Sequence, residues 1–350
     1  MDVAKLNAVE IAGNYGDVRA EHQALCESAG VLDFSNRSRV CLTGTDRVRF
    51  LHGQVTNDVK SLRVGEGRYA ALITAKGKMQ SDLNIYCMPE ELLLDFEPGL
   101  TPIVSERLQN YVIADDVQII DVAPNYGLLS VQGPKAESVI RAVGIGDDLP
   151  AKSFGFVRKP DTVFSEIHVI NQPRLGTSGF DLLAATDQIQ QLKRELVRAA
   201  KSAGGSESGS EAFEIARIES GIPRFGADMD ETTNPLEAGL ETRAISFNKG
   251  CYIGQEVISR IRTYSEVAKA LRGLRLADDL KSLPNKGDKL FHDGKEAGFA
   301  TSATMSPRLK ANIALGYVKR EMNQLGTELT LRTADGESRA RIVELPFVKS

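Results

Sequence analysis

The segment Asn248-Lys-Gly-Cys-Tyr-Ile-Gly-Gln-Glu256 is the most informative stretch of this sequence. It places one cysteine between two glycines, and glycine is the residue that adopts left-handed backbone angles and lets a ligand approach closely. If the segment is extended, Lys249 and Cys251 project to the same face. The ammonium group then lies near the sulfur and favours its thiolate form.

The residues that follow predict a helix beginning near Gln255. Val257, Ile258 and Ile261 recur at helical spacing and give this helix an apolar side. A helix N-terminus carries partial positive charge, which also favours a nearby thiolate. Cys251 is therefore the candidate nucleophile, although the usual fate of a lone cysteine is to be a small buried hydrophobic residue.

Composition and charge limit the possible classes. The chain has 350 residues, 42% of them hydrophobic, with a formal net charge of -4. This length allows two or three domains with buried cores, and the charge gives no global attraction to nucleic acid or an anionic membrane. No segment approaches the roughly 20 apolar residues that cross a bilayer. The N-terminal segment, with Asp2 and Glu10, lacks signal and transit patterns, which predicts a cytoplasmic protein.

Several common kinds of site find no support in the sequence. The four cysteines and four histidines are scattered, without a C-x-x-C pair or an H-E-x-x-H pattern. The sequence therefore predicts neither a disulfide framework nor a metal site built from protein ligands. It also lacks the glycine-rich, Walker and G-x-S-x-G motifs, which argues against Rossmann dehydrogenases, P-loop enzymes and α/β-hydrolases.

The order of apolar runs predicts an α+β class. Short strand-like runs alternate with helical patterns without a strict βαβ rhythm, and residues 83–88 and 92–96 are typical of adjacent antiparallel strands. We therefore predict a mixed body at residues 1–268 and a small all-β domain at residues 269–350. The Gly/Ser stretch 202–210 suits either a linker or a surface loop inside one domain.

Two further segments carry polar side chains that suit a ligand. The stretch His52-Gly-Gln-Val-Thr-Asn-Asp58 can line a polar pocket, or form a turn through local side-chain to backbone bonds. Its candidate binding residues are Gln54, Thr56 and Asn57.

The second polar segment lies near a predicted helix end and includes Arg217, Glu219 and, further on, Glu237. Carboxylates there can hold the donor and acceptor edge of a pterin-like ring. The alternative is that they cap the helix and form surface ion pairs. For Glu237 the two interpretations are even.

A family resemblance extends this interpretation. Residues 249–256 resemble the signature of the YgfZ-type folate-binding proteins, relatives of the glycine-cleavage T-protein. The other similar segments are residues 29–35, 53–58, 75–79, 131–134, 234–240, 301–307 and 345–347. The resemblance implies two interwoven, ferredoxin-like α+β subdomains around a channel that holds tetrahydrofolate or a folate derivative, followed by a C-terminal β-barrel.

The resemblance also implies a function in iron-sulfur cluster assembly or repair, including a cluster enzyme of tRNA modification. Cys251 is then a thiolate nucleophile or a transient contact to a cluster or partner, and Lys249 tunes its pKa. Gly250, Tyr252 and Gln255 join the candidate folate contacts. The implied partners are folate and iron-sulfur client or assembly proteins, without direct nucleic-acid binding.

One departure leaves enzymatic activity open. In the T-protein an Asp-Asp pair includes the catalytic carboxylate, and an acidic residue follows a Gly-x-Thr-Gly segment. The similar places here are Ser81-Asp82 and Gly176-Thr-Ser-Gly179. Two acids are therefore missing while Asp82 remains as a candidate catalytic residue, which favours the YgfZ branch.

Two other functions stay open. One is a folate-dependent aminomethyltransferase or demethylase, in which Asp82 positions or protonates the amine. The other is an RNA-binding module, suggested only by basic residues at 260–262 and 269–275, which are more often a solvated face. The motifs do not specify the folate form, the cluster, the clients or the oligomeric state.

Overall fold

The computed structural model describes residues 11–161, 164–264 and 267–348. Asp2 and Glu10 lie outside them. The chain forms two compact units: residues 1–70 with 81–213, and residues 71–80 with 214–350. The predicted domain division at residue 268 stays a prediction.

The described residues combine α-helices with antiparallel strands and one parallel strand pair. The helices are α1 Val18–Glu27, α2 Arg47–Gln54, α3 Thr101–Gln109, α4 Ala136–Ala142, α5 Ile189–Ser202, α6 Ser210–Glu219, α7 Glu241–Ala244 and α8 Gln255–Thr263. The strands are β1 Gly30–Asp33, β2 Ser38–Thr43, β3 Gly67–Ile73, β4 Met79–Cys87, β5 Leu92–Phe96, β6 Gln118–Asp121, β7 Tyr126–Gln132, β8 Phe156–Asp161, β9 Ser165–Asn171, β10 Gly179–Ala185, β11 Ser206–Glu207, β12 Lys269–Leu276, β13 Lys289–His292, β14 Lys295–Ser306, β15 Ala311–Lys319, β16 Glu328–Thr333 and β17 Gly336–Val343.

Two sheets carry the first unit. The first sheet has the strand order β11-β1-β7-β10-β9-β8, and the second has the order β3-β4-β5-β2-β6. One face of the first sheet packs on α4 and α5 through fully buried residues such as Val131, Ile140 and Leu196. The heptad-like apolar residues of α5 therefore cover a sheet rather than another helix.

The opposite face of the first sheet packs on the second sheet. Tyr86 and Leu93 from the second sheet form one buried cluster with Leu128, Ile170 and Leu183 from the first. Alternate residues of a strand point to opposite faces, so each strand of the first sheet contributes to both apolar layers. The two-layer packing explains why these strands lack a clear polar side.

Beside this cluster, the two sheets share a network of buried ions. Arg174 Nη2 lies 2.5 Å from Asp181 Oδ2 on β10 and 3.3 Å from Asp95 Oδ2 on β5. Arg37 Nε lies 2.9 Å from Asp95 Oδ1. Burial acts to raise the pKa of Asp95, but Arg37 and Arg174 outweigh it and lower the pKa to about 2. Arg37 and Arg174 thus keep Asp95 ionised, whereas burial raises the pKa of Asp181 despite its contact with Arg174.

The Gly/Ser stretch 202–210 connects α5 to α6 inside the first unit, as expected for a connection within one domain and not for a linker between two. It contains β11, which pairs in parallel with β1 through Gly30 and Ser206. A Cβ atom at Gly205 would lie 2.0 Å from the carbonyl oxygen of Ala29. Glycine is needed there because the two backbones approach closely, which composition alone does not distinguish from flexibility.

The second unit contains a closed barrel with the strand order β12-β15-β14-β13-β16-β17. Its interior is filled by small and branched residues, including Leu274, Leu290 and Ala314. On its outer face, Tyr317 and Ile313 pack with Ile218 of α6. The predicted class, a mixed α+β body followed by an all-β barrel, is confirmed.

No helix in the described parts of the chain is both long and apolar enough to cross a membrane.

We expect Arg174→Met to lower the free energy of unfolding by about 3 kcal/mol, because it removes the cation that pairs with buried Asp181 and one of the two cations that pair with Asp95. Urea denaturation followed by circular dichroism measures this change. The control is Arg158→Met, which removes an exposed pair with Glu166 and should change stability by less than about 1 kcal/mol. Equal effects of the two substitutions would show that the network contributes nothing special.

Candidate functional site

Asp82 lies on β4 and is partly buried. Its two carboxylate oxygens differ in their hydrogen bonding. The Tyr69 hydroxyl donates a 2.8 Å hydrogen bond to Oδ2. Oδ1 is buried and has no hydrogen-bond partner within the described residues. A buried acceptor that is left unpaired is costly, so this oxygen is suited to receive an N–H or O–H group of a ligand.

The surroundings of Asp82 change its protonation. Burial, and next the negative charge of Glu97, raise the pKa of Asp82 to about 6. The hydrogen bond from Tyr69 and the charge of Arg37 act in the opposite direction. A carboxyl group with this pKa exists in both protonation states near neutral pH, which is the property required of a general acid or base.

The segment 52–58 lies beside the strand that carries Tyr69. The Asn57 side chain donates a 2.9 Å hydrogen bond to the Tyr69 carbonyl oxygen and accepts another from the backbone of Asp58. Gln54 is buried, and its Oε1 accepts a 2.9 Å hydrogen bond from Arg107. Thr56 is fully buried. These hydrogen bonds hold the segment to β3 and α3. Folate contact by its side chains stays a prediction.

In the second unit, Arg217 belongs to a buried ion network. Its Nη1 lies 2.7 Å from Asp228 Oδ2, its Nε lies 2.9 Å from Glu214 Oε2, and its Nη2 donates to Ser302 at 3.0 Å. Glu219 is buried and accepts a hydrogen bond from Ser306. Both side chains thus connect α6 to neighbouring parts of the unit. The ion pairs of Arg217 are buried and not on the surface, and folate contact by Arg217 and Glu219 stays a prediction.

Three segments that carried the family resemblance meet in the second unit. Asn234 donates a 2.9 Å hydrogen bond to the Gly77 carbonyl oxygen, between residues 234–240 and 75–79. A Cβ atom at Gly77 would lie 2.9 Å from Val257 on α8. At Gly254, which has a φ of +82°, a Cβ atom would lie 2.5 Å from the Thr74 carbonyl oxygen. The glycines are therefore needed for close packing.

The reactive-cysteine segment is placed as follows. Helix α8 begins at Gln255, as predicted, and Cys251 lies shortly before it and is exposed. Lys249 is buried, with its ammonium nitrogen 4.8 Å from the centre of the Tyr252 ring. Burial raises the pKa of Tyr252 to about 12. Lys249 is buried whereas Cys251 is exposed. An effect of Lys249 on the Cys251 thiol stays a prediction.

The remaining candidate folate contacts are Gly250, Gln255 and Glu237. Gly250 is exposed, and the backbone N–H of Gln255 donates to the Tyr252 carbonyl oxygen at 3.2 Å. Glu237 is buried, and its Oε2 accepts a 3.1 Å hydrogen bond from the backbone of Asn234. This bond closes the turn that begins at Asn234, so a capping function is present whether or not Glu237 also contacts a ligand.

Two of the basic residues that suggested RNA binding, Arg262 and Lys269, have partners within the protein. The Arg262 guanidinium stacks 3.7 Å from the centre of the Phe247 ring. Lys269 lies over the rings of Phe299 and Tyr317 at 5.0 and 4.8 Å. Such stacked cations contribute to packing, and the interpretation of these segments as an RNA-binding face gains no support.

Sequence reasoning missed three residues around Asp82: Tyr69, Arg37 and Glu97. A signal for Glu97 existed, because β4 and β5 were predicted as adjacent antiparallel strands and their pairing can be counted from the turn. Arg37 and Tyr69 come from separate segments of the chain. Their proximity depends on sheet order, which no local pattern specifies.

Comparisons with known proteins follow from this geometry. Residues 3–249 match the GCVT N-terminal domain, and residues 269–349 match the glycine cleavage T-protein C-terminal barrel domain. This chain belongs to the aminomethyltransferase superfamily. The assignment agrees with the α+β body and closed barrel. These matches identify the superfamily and do not distinguish the YgfZ-type subgroup within it.

Individual relatives agree with this family. The aminomethyltransferase of Halalkalibacterium halodurans is 28% identical over 96% of this chain and 91% of its own length. That of Bacillus subtilis is 27% identical over 97% and 93%. The crystal structure of glycine cleavage system aminomethyltransferase T from Bartonella henselae covers 97% of this chain and 91% of its own, with a TM-score of 0.86 and 22% identity. At that identity the structural match shows the fold alone.

We expect Asp82→Asn to stabilise the protein in a pH-dependent manner. Because the pKa of Asp82 is raised to about 6, the folded state retains a proton that the unfolded chain releases, and stability falls as the pH rises from about 4 to 6. The substitution should raise the free energy of unfolding by on the order of 1–3 kcal/mol at pH 7.5, and by much less at pH 4. Urea denaturation at both pH values, with exposed Asp148→Asn as control, tests this expectation. An equal change at both pH values would contradict it.

Proposed function

We propose that this chain binds a reduced folate and catalyses one-carbon transfer of the aminomethyltransferase type, with Asp82 as its acid-base residue. The observation that carries the proposal is the buried, unpartnered Oδ1 of Asp82, on a carboxyl group with a pKa of about 6. The names of the relatives support the reaction class. Among the two folate-dependent functions left open by the sequence, this support favours the enzyme.

The residues around Asp82 suit this chemistry in a specific way. Tyr69 donates to Oδ2, which leaves Oδ1 as the oxygen with unused acceptor capacity. In the protonated form the carboxyl group donates a proton to an amine nitrogen, and in the ionised form it accepts an N–H hydrogen bond. Ser81 stands where the T-protein pattern has an acid. It is fully buried, and its hydroxyl donates to the Asp82 carbonyl oxygen at 3.0 Å. Asp82 therefore has to act without a second acid next to it in the sequence.

Binding and turnover separate the parts of this proposal. Calorimetric titration with tetrahydrofolate, 5-formyl-tetrahydrofolate and unreduced folate should show saturable binding of the reduced forms. Formation of methylene-tetrahydrofolate from an aminomethyl donor should fall by at least about 100-fold in Asp82→Asn. The Asp148→Asn control should retain full activity.

Two outcomes oppose the proposal directly. Absence of binding to every folate would restrict the family likeness to the fold. Binding without any turnover in the wild type would remove the transferase and leave a folate-binding protein.

A second candidate function, maintenance of iron-sulfur clusters by a YgfZ-type protein, is favoured by one observation. Among the four cysteines, Cys251 is the exposed one, whereas Cys41 is buried and the other two are partly buried. A thiol that contacts a cluster or partner has to be accessible. In this function, Lys249 tunes the thiol and folate binding is retained.

Complementation tests the second candidate. In cells that lack the native gene, Cys251→Ala should fail to restore the activity of cluster enzymes, although the purified variant remains folded and binds folate. The matched control is Cys87→Ala, at a partly buried cysteine, which should restore activity. Full restoration by Cys251→Ala would exclude this function of the thiol.

A further inference from the structure

The pairing of β4 with β5 places a second carboxylate opposite Asp82. The register joins Asn84 to Asp95 and Ile85 to Leu94. When this register is continued by two residues from Asn84, Asp82 lies opposite Glu97, the residue that follows the end of β5. Residues directly opposite in an antiparallel pair have Cβ atoms about 4.5–5.5 Å apart and share a face.

Hydrogen bonds fix the direction of these side chains. Asn84 donates to Asp95 Oδ2 at 2.9 Å, and Arg37 binds Asp95 Oδ1 through Nε at 2.9 Å. The Nη1 atom of the same guanidinium contacts Glu97 Oε1 at 2.5 Å. Since Asp82 and Asn84 are two residues apart on one strand, they also share a face. All four side chains therefore project from one side of the sheet.

We propose that Glu97 is a positioning residue whose negative charge faces Asp82 and holds a proton on it, in place of the acid that is missing at position 81. This inference rests on the proposed function of Asp82. The T-protein pattern has two acids next to each other in sequence, whereas here the second carboxylate comes from the neighbouring strand. A negative charge that faces a carboxyl group disfavours its ionised form and so favours the protonated form.

The other groups around Asp82 act on its protonation with different signs. Arg37 contacts Glu97 directly, which fixes the Glu97 carboxylate on this side of the sheet. Tyr69 and Arg37 lower the pKa of Asp82, while burial and the charge of Glu97 raise it. Asp95 is already held ionised by Arg37 and Arg174. Substitution of Glu97 thus removes a negative charge near Asp82 while the pairs of Asp95 with Arg37 and Arg174 stay in place.

The test measures the titration of Asp82 without relying on turnover. In protein labelled with 13C at aspartate carboxyl carbons, the Asp82 signal is assigned by its loss in Asp82→Asn. In Glu97→Gln, we expect the titration midpoint of this signal to fall by about one pH unit, because a like charge is removed. The matched control is Glu90→Gln, which removes an exposed charge on the loop between β4 and β5. It should leave the midpoint within a few tenths of a pH unit.

Glu97→Asp keeps the negative charge, so the titration midpoint of Asp82 should stay close to its wild-type value. Circular dichroism and urea denaturation confirm that each variant is folded. An unchanged midpoint in folded Glu97→Gln, or an equal shift in Glu90→Gln, would overturn the inference.

Activity then separates the inference from the proposed function. If the wild type is active, the pH midpoint of its rate that is assigned to Asp82 should fall by the same amount in Glu97→Gln. If the wild type is inactive but the NMR midpoint falls, the effect of Glu97 on Asp82 stands and the transferase function fails. If turnover is present and neither midpoint moves, the function stands and the inference about Glu97 is wrong.

Discussion

The buried ion network between the two sheets of the first unit is the constraint on which its polar interior depends. Arg174 connects Asp181 of the first sheet to Asp95 of the second, and Arg37 binds Asp95 from the other side. Removing ions from water costs several kcal/mol each unless their charges are paired with good geometry. The network is thus stable in one arrangement of the two sheets, and it resists any slip of β5 relative to β10.

This constraint also determines where a reactive carboxyl group can exist. Asp82 lies beyond the last paired ions, where Arg37 is already bound to Asp95 and Glu97. It therefore experiences burial and a negative neighbour with little compensation, and its pKa is raised to about 6. A residue that is energetically unfavourable for the fold but chemically useful is typical of a functional position. Asp95 is bound by two guanidinium groups, whereas Asp82 Oδ1 has no hydrogen-bond partner within the described residues, so the two acids differ in pairing although they share one face of the sheet.

Local patterns in the sequence predict those features that depend on neighbours along the chain. The helix at Gln255, the antiparallel strands β4 and β5, and the all-β barrel follow from spacing and turn residues. Features that depend on sheet order do not follow. The stretch around Gly205 has the composition of a linker, yet it forms a strand because its glycine fits against Ala29. Similarly, the ion pair of Arg217 with Asp228 depends on the fold of the second unit, and the predicted folate contact of Arg217 stays a prediction.

The motif at residues 249–256 separates into residues that the fold requires and one that it does not. Gly254 is required because a side chain there would collide with the backbone of Thr74, and the buried Tyr252 packs against Lys249. Cys251 is exposed, so the interpretation as a small buried hydrophobic residue is wrong, and no packing contact explains a sulfur at this position. The presence of the motif as a whole therefore argues for the fold of the second unit. Any argument for thiol chemistry has to rest on Cys251 by itself, independently of the acid-base chemistry at Asp82.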